Sequence, residues 1–158
     1  MSRAPFAVIP CSKEKAWDLP GVIGPRPARS AYRSPLFLAA LDWADAHAEQ
    51  VLIFSALHGL LRADVDVVPG PYDVTFSRRD DPVVSPERVA EQATALGLTK
   101  LQQLLVALPD DYAARLADAL GDDGPPLANL LEGVPLHDLD AMRARCASVK
   151  FDTISARA

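Results

Sequence analysis

The chain of 158 residues lacks the features that mark most specialised scaffolds. It has two cysteines, Cys11 and Cys146, no Cys-x-x-Cys pair and three histidines, which excludes a disulfide framework and a zinc site. Its longest apolar stretches, residues 5–10 and 104–109, fall far short of the ~20 residues that span a bilayer, and no cleavable signal precedes them. A cytoplasmic protein with no membrane partner is therefore expected. Neither Gly-x-x-x-x-Gly-Lys-Ser/Thr nor Gly-x-Gly-x-x-Gly occurs, which argues against an ordinary NTPase and a dinucleotide oxidoreductase. No cofactor and no metal are expected.

What is present is the balance of an ordinary globular chain, 49 % hydrophobic and 23 % charged. At this length it can bury roughly two-thirds of its unfolded surface, and residues 1–158 read as one domain. The net charge of −5 is uneven. Residues 1–80 carry nine Lys/Arg and nine Asp/Glu, so the whole deficit lies in the second half. Between residues 19 and 41, Arg26, Arg29 and Arg33 stand without an acid, a stretch suited to phosphate. A broad duplex-binding surface does not suit an acidic domain, because non-specific affinity for DNA comes mostly from cations that neutralise phosphates.

Three short apolar runs, residues 6–9, 50–54 and 103–108, read as strands. They lack in/out alternation, as do central strands of a parallel sheet covered on both faces. Helices separate them. Ser34 is a good N-cap with Pro35 at the first helical position, and Phe37, Leu41, Ala44 and Ala48 then share one face. Ser85-Pro86 repeats that start for a helix that Gly97 stops, and Asp110 or Asp111 opens another that ends at Gly121. Two last helices are predicted over residues 127–132 and 136–149, the second with a core stripe of Leu139, Met142, Cys146 and Val149. The expected fold is α/β, a small Rossmann-like three-layer sandwich with a short parallel sheet and a helical C-terminal part. Residues 17–32 and 61–82 are left as long loops, which in so small a domain are commonly functional.

In open parallel sheets, ligands bind outside the carboxyl ends of the strands. Strand one runs into Cys11-Ser12-Lys13-Glu14-Lys15 and strand two into Ser55-Ala56-Leu57-His58-Gly59. If the strands are neighbours, Cys11, Lys15, Ser55 and His58 meet on one rim. Cys11 is the candidate nucleophile, since the thiolate is the attacking form and nearby lysines favour it. His58 is a candidate acid/base, with Asp64 or Asp66 available to fix its tautomer. Asp73 is a candidate base or ribose acceptor, and Tyr72 a surface on which a base can stack. Tyr32 and Ser34 bring a hydroxyl and backbone donors to a helix N-terminus, where an anion is favoured. His47 and His137 lack a supporting constellation.

Four segments carry a resemblance: Cys11-Ser12-Lys13, Tyr32-Arg33-Ser34-Pro35, Ser55-Ala56-Leu57-His58-Gly59-Leu60 and Pro71-Tyr72-Asp73. Together they resemble small bacterial and phage domains of unknown function, which carry lysine where Leu57 stands here. More distantly, Pro10-Cys11-x3-Lys15 and Ser55-x2-His58 are similar to the catalytic domain of archaeosine synthase. That resemblance implies a 7-deazaguanine or other modified base as substrate, with Cys11 attacking an electrophilic carbon such as a nitrile. The family also resembles the wider group associated with nucleic-acid modification and damage response.

The leading expectation is an enzyme acting on a nucleobase, nucleoside or nucleotide. Its catalytic candidates are Cys11, His58, Asp73 and Lys15; its binding candidates are Ser12, Lys13, Arg29, Tyr32, Arg33, Ser34, Ser55, Gly59 and Tyr72. The alternatives are an N-glycoside hydrolase that uses Asp73 or Asp64, and a nucleotide- or DNA-binding stress-response module without chemistry.

Overall fold

The computed structural model describes residues 3–135 and 138–148. The chain opens with β1 (Ala4–Pro10), makes a 3-10 turn at Ala16–Asp18, and continues through β2 (Arg26–Pro27), α1 (Ala28–Ala31) and α2 (Pro35–His47). Then come β3 (Ala48–Ser55), β4 (Gly59–Arg62), β5 (Val67–Val68), α3 (Pro86–Leu96) and β6 (Leu104–Val106). The last elements are α4 (Asp110–Leu120), β7 (Leu127–Asn129) and α5 (Leu139–Ser148).

The main sheet has the order β4-β3-β1-β6-β7, parallel except for the edge strand β4. It is the middle of a three-layer α/β sandwich. Because side chains alternate along a strand, Ala7 and Ile9 of β1, Val51 and Ile53 of β3, and Leu105 of β6 pack on the side of α2 and α5. Val8, Leu52, Phe54, Leu104 and Val106 point to the other side, against Val89 and Ala93 of α3 and Leu116 of α4. With both faces covered, the central strand positions are apolar, so no alternation is visible in the sequence. Among the described residues no helix is long and apolar enough to cross a membrane.

The helix-start signals act as expected. The Ser34 hydroxyl accepts from Phe37 N at 3.0 Å and the Ser85 hydroxyl from Arg88 N at 3.1 Å, with Pro35 and Pro86 at the first helical positions. Gly97 ends α3 at φ 80. Four expectations are corrected. Ala48 is not on the helix; it is extended at φ −134 and opens β3. Residues 127–132 are not helical: three of them extend β6's open edge as β7, and the Asn129 side chain bonds both the N–H and the C=O of Leu108. The last helix starts at Leu139, capped by the Asp138 carboxylate on Ala141 N. Leu139 is exposed, while Met142 and Cys146 are buried against α2; Leu136, His137 and Val149 lie outside the described residues. The long 61–82 stretch is also less irregular than expected, since β4 ends within it and β5 pairs with β2.

β4 arises from a hairpin signal. Ser55 pairs with Gly59 across three turn residues, and Gly59 takes φ 77, the left-handed residue that closes such a loop. Gln92 of α3 then pins the turn, with Nε2 donating to the His58 carbonyl at 3.0 Å and Oε1 accepting from Leu60 N at 2.8 Å. Gly59, expected to bind substrate, thus has a structural duty. A Cβ there would lie 2.1 Å from Gln92 Oε1. Gly59→Ala is expected to lose about 1–2 kcal/mol from the strained φ and the displaced Gln92. Urea denaturation of the two proteins measures the loss.

Candidate functional site

The chain steps from β1 to β3 on one side, then returns past β1 to β6 on the other. The carboxyl end of β1 is therefore the switch point where open α/β sheets leave a crevice. Cys11 is the first residue beyond β1, and its N–H still reaches the Phe54 carbonyl of β3 at 3.2 Å. The crevice has two lobes. The smaller, about 330 Å³, is lined by Cys11, Ser12, Lys13, Lys15, Asp73, Thr75, Arg78 and Tyr112, among others. The larger, about 510 Å³, runs along Lys13, Glu14, Lys15, Asp18, Pro71, Tyr72 and Asp73.

Tyr72 organises the rim. The Ser55 hydroxyl accepts from Leu57 N at 3.2 Å and His58 N at 3.0 Å, which occupies both its lone pairs. Its proton must then go to Tyr72 Oη, 2.7 Å away, and Tyr72 in turn donates to Tyr32 Oη. The direction of the chain Ser55→Tyr72→Tyr32 is thus set by two backbone amides. Burial raises the pKa of both tyrosines well above the ordinary value, so the chain stays protonated. Lys15 lies across this ring, with Nζ 4.5 Å from the Tyr72 centroid and 5.9 Å from that of Tyr32. The main chain places it there through a bridge between Lys15 and Tyr32 and a bond from Lys15 N to the Asp18 carboxylate. Burial lowers the Lys15 pKa; the negative charges of Cys11, as thiolate, and of Asp73 oppose that shift.

Cys11 is half-buried, with Sγ 3.5 Å from Tyr112 Oη. The Tyr112 hydroxyl is held protonated, chiefly by burial and further by the charge of the Cys11 thiolate. Asp73 is exposed, and the Arg78 guanidinium, 2.9 Å from Oδ1, holds its carboxyl below the usual carboxylate range. Arg78 also reaches Asp81, which accepts from Thr75 N, so the 73–81 loop is tied into a ring. Cys146 is a core thiol pushed up to about 11 by burial.

The structure therefore brings Cys11, Ser12, Lys13, Lys15, Tyr72 and Asp73 to one cleft, with Ser55 and Tyr32 behind Tyr72. His58 stands on Tyr72's flank, edge-on with ring centroids 5.0 Å apart. Among the described residues no carboxylate hydrogen-bonds its ring, because Asp64 is paired with Arg29 and Asp66 with Arg62. Burial lowers the His58 pKa. Arg29 does not line the cleft; its guanidinium spans Asp45 and Asp64 at 2.9 and 2.6 Å. Arg33 is exposed, its N–H donating to the Glu14 carbonyl, and Ser34 is occupied as a cap. Sequence reasoning missed Tyr112 and Arg78. Tyr112 lies a few residues beyond the third strand, and Arg78 sits five residues beyond Asp73, a spacing that carries no helical or strand signature. Among the described residues no cluster of three or more His, Cys, Asp and Glu side chains is placed to hold a metal ion.

A three-layer α/β domain with a polar cleft at the switch point is thus the class that fold and site define. Residues 6–139 match the Family of unknown function (DUF6884), and the chain belongs to that family. It is 33 % identical over 117 residues to an uncharacterised protein, YfjM, of Bacillus subtilis (strain 168), covering 74 % of this chain and 77 % of that one. No solved structure matches it.

The rim can be probed at two of its members. Tyr72→Phe strands the Ser55 proton and removes the donor to Tyr32, so it is expected to cost about 1–3 kcal/mol, read from denaturant midpoints. The His58 pKa is lower folded than the ordinary 6.5, so the unfolded chain takes up its proton first as pH falls. Wild type should lose stability relative to His58→Gln below pH 6.5 and keep a constant difference above it.

Proposed function

We propose that the chain is an enzyme acting on a nucleobase, nucleoside or nucleotide, with Cys11 as nucleophile. The observation that carries this reading is one small-molecule-sized cleft in which a half-buried cysteine meets two lysines, a protonated tyrosine and an ionised carboxylate. The Cys11 thiolate adds to an unsaturated carbon of the base, forming a C–S bond. The displaced π pair moves onto the neighbouring nitrogen, and the Tyr112 hydroxyl supplies its proton. Lys13 and Lys15 line the same lobe as Cys11 and bring positive charge to it. A 7-deazaguanine or other modified base, the substrate class implied by the resemblance to archaeosine synthase, fits this chemistry where it bears an electrophilic carbon such as a nitrile. His58 does not enter the step; it flanks Tyr72.

Asp73 favours a second reading. Ionised by Arg78 and lining both lobes, it has the charge to stabilise an oxocarbenium-like sugar in N-glycoside cleavage, with Cys11 dispensable.

Iodoacetamide labelling, read out by mass spectrometry, tests the first reading, with buried Cys146 as internal control. Cys11 should label readily and be protected at least about tenfold by a bound base, nucleoside or nucleotide. Labelling that stays unchanged across such a panel contradicts it. Once a turnover assay exists, Cys11→Ser should abolish activity; activity kept by Cys11→Ser and lost in Asp73→Asn transfers the case to glycoside cleavage.

A further inference from the structure

The fold leaves Lys15 short of partners. The residue is 4 % exposed, and its ammonium carries three N–H donors. Among the described residues a single acceptor lies within hydrogen-bond reach of Nζ, the Lys13 carbonyl at 3.2 Å, and no carboxylate forms an ion pair with it. The Tyr72 face attracts the charge but satisfies none of the remaining donors through an oxygen. A buried ammonium with donors unmet is costly until a bound acceptor meets them. Those donors belong to the wall that both lobes of the cleft share.

The same wall indicates the chemistry of the acceptor. Lys13 stands there beside Lys15, exposed and, among the described residues, without an ion pair. The wall's three carboxylates leave the lysine donors open: Asp73 is paired with Arg78, Asp18 accepts from Lys15 N, and among the described residues neither these two nor Glu14 forms an ion pair with either lysine. Two cations with several open donors match a group that offers two or three anionic oxygens at once, as a phosphate monoester does. A polyanion is a poorer match, because lobes of about 330 and about 510 Å³ are small-molecule spaces and the chain's net charge of −5 repels it.

We propose that Lys15, with Lys13 beside it, holds the phosphate of the substrate, so that the cleft takes a nucleoside monophosphate with its base in the lobe of Cys11 and Tyr112. This assignment rests on the base-directed reading of the cleft and names its substrate class. Arg29, one of the three arginines in the stretch suited to phosphate, is paired with Asp45 and Asp64 outside the cleft.

Equilibrium binding of a panel of nucleoside monophosphates, the matching nucleosides, inorganic phosphate and a short single-stranded oligonucleotide separates the possibilities. At least one monophosphate should bind about tenfold or more tighter than its nucleoside, the size of one charge-assisted hydrogen bond. Lys15→Met should abolish that preference, and Lys13→Ala, at an exposed position, should reduce it whether or not Lys15→Met folds. Equal affinity for nucleoside and monophosphate, or a preference that survives in both variants, overturns the proposal. An oligonucleotide that outcompetes every monophosphate overturns the mononucleotide assignment. Inorganic phosphate bound through the lysines, with no nucleotide or nucleoside bound, keeps the phosphate site and overturns the base-directed reading. No binding of any member overturns the phosphate site, and the labelling experiment still decides the reading of Cys11 by itself.

Discussion

The Tyr72 phenol is the point on which the cleft depends. Its hydroxyl joins β3, through Ser55, to the segment before α2, through Tyr32, and its ring supports the Lys15 side chain. None of these contacts is strong alone: a neutral hydrogen bond nets about 1 kcal/mol and a cation over a ring a similar amount. Their value lies in order. Two backbone amides fix the Ser55 proton, that proton fixes the sense of the tyrosine pair, and the ring so held gives a buried ammonium one place to lie. Electrostatics is set by geometry here. A lysine in this position loses solvent, which lowers its pKa, while the negative charges of Cys11, as thiolate, and of Asp73 oppose that shift; an anionic acceptor bound at Nζ would oppose it further.

The sheet order explains why these residues meet. β1 lies between β3 and β6, so the chain leaves its carboxyl end in one direction and comes back past it in the other. The segment after β1 therefore has no strand continuing over it, and the 73–81 loop, tied by Arg78 to Asp73 and Asp81, closes the opening from the side. The cores above and below the sheet need none of these polar groups. They are held by the apolar alternation of the strands against α2 and α5 on one face and α3 and α4 on the other.

Much of this was legible in the residues. The three central strands, the Ser-Pro starts of α2 and α3 and the Gly97 stop rest on local rules of burial and capping, and local rules are what a sequence displays. β7 was not legible, because residues 127–132 carry no strand period and form a strand by borrowing the open edge of β6, a non-local cause. For the site, Cys11, Lys15 and Ser55 were legible because they stand at or just beyond the ends of apolar runs, and Tyr72 and Asp73 because they interrupt a long loop with side chains suited to chemistry. The hydrogen-bond hierarchy that makes Tyr72 central was hidden, since it depends on a hairpin turn aiming two amides at Ser55. Arg29 shows the opposite case: a cation that looked free in an acid-poor stretch is met by Asp45 and Asp64 from elements distant in sequence.

A crystal structure of the chain grown with a nucleoside monophosphate tests the central claim most directly, that the cleft built around Tyr72 is a ligand site and Lys15 its anion hook. The account predicts density in the crevice between Cys11 and Tyr72, with phosphate oxygens within hydrogen-bond distance of Lys15 Nζ and the Ser55–Tyr72–Tyr32 chain undisturbed. A nucleotide bound elsewhere on the molecule, with Lys15 still lying on Tyr72 and its donors unmet, would contradict it.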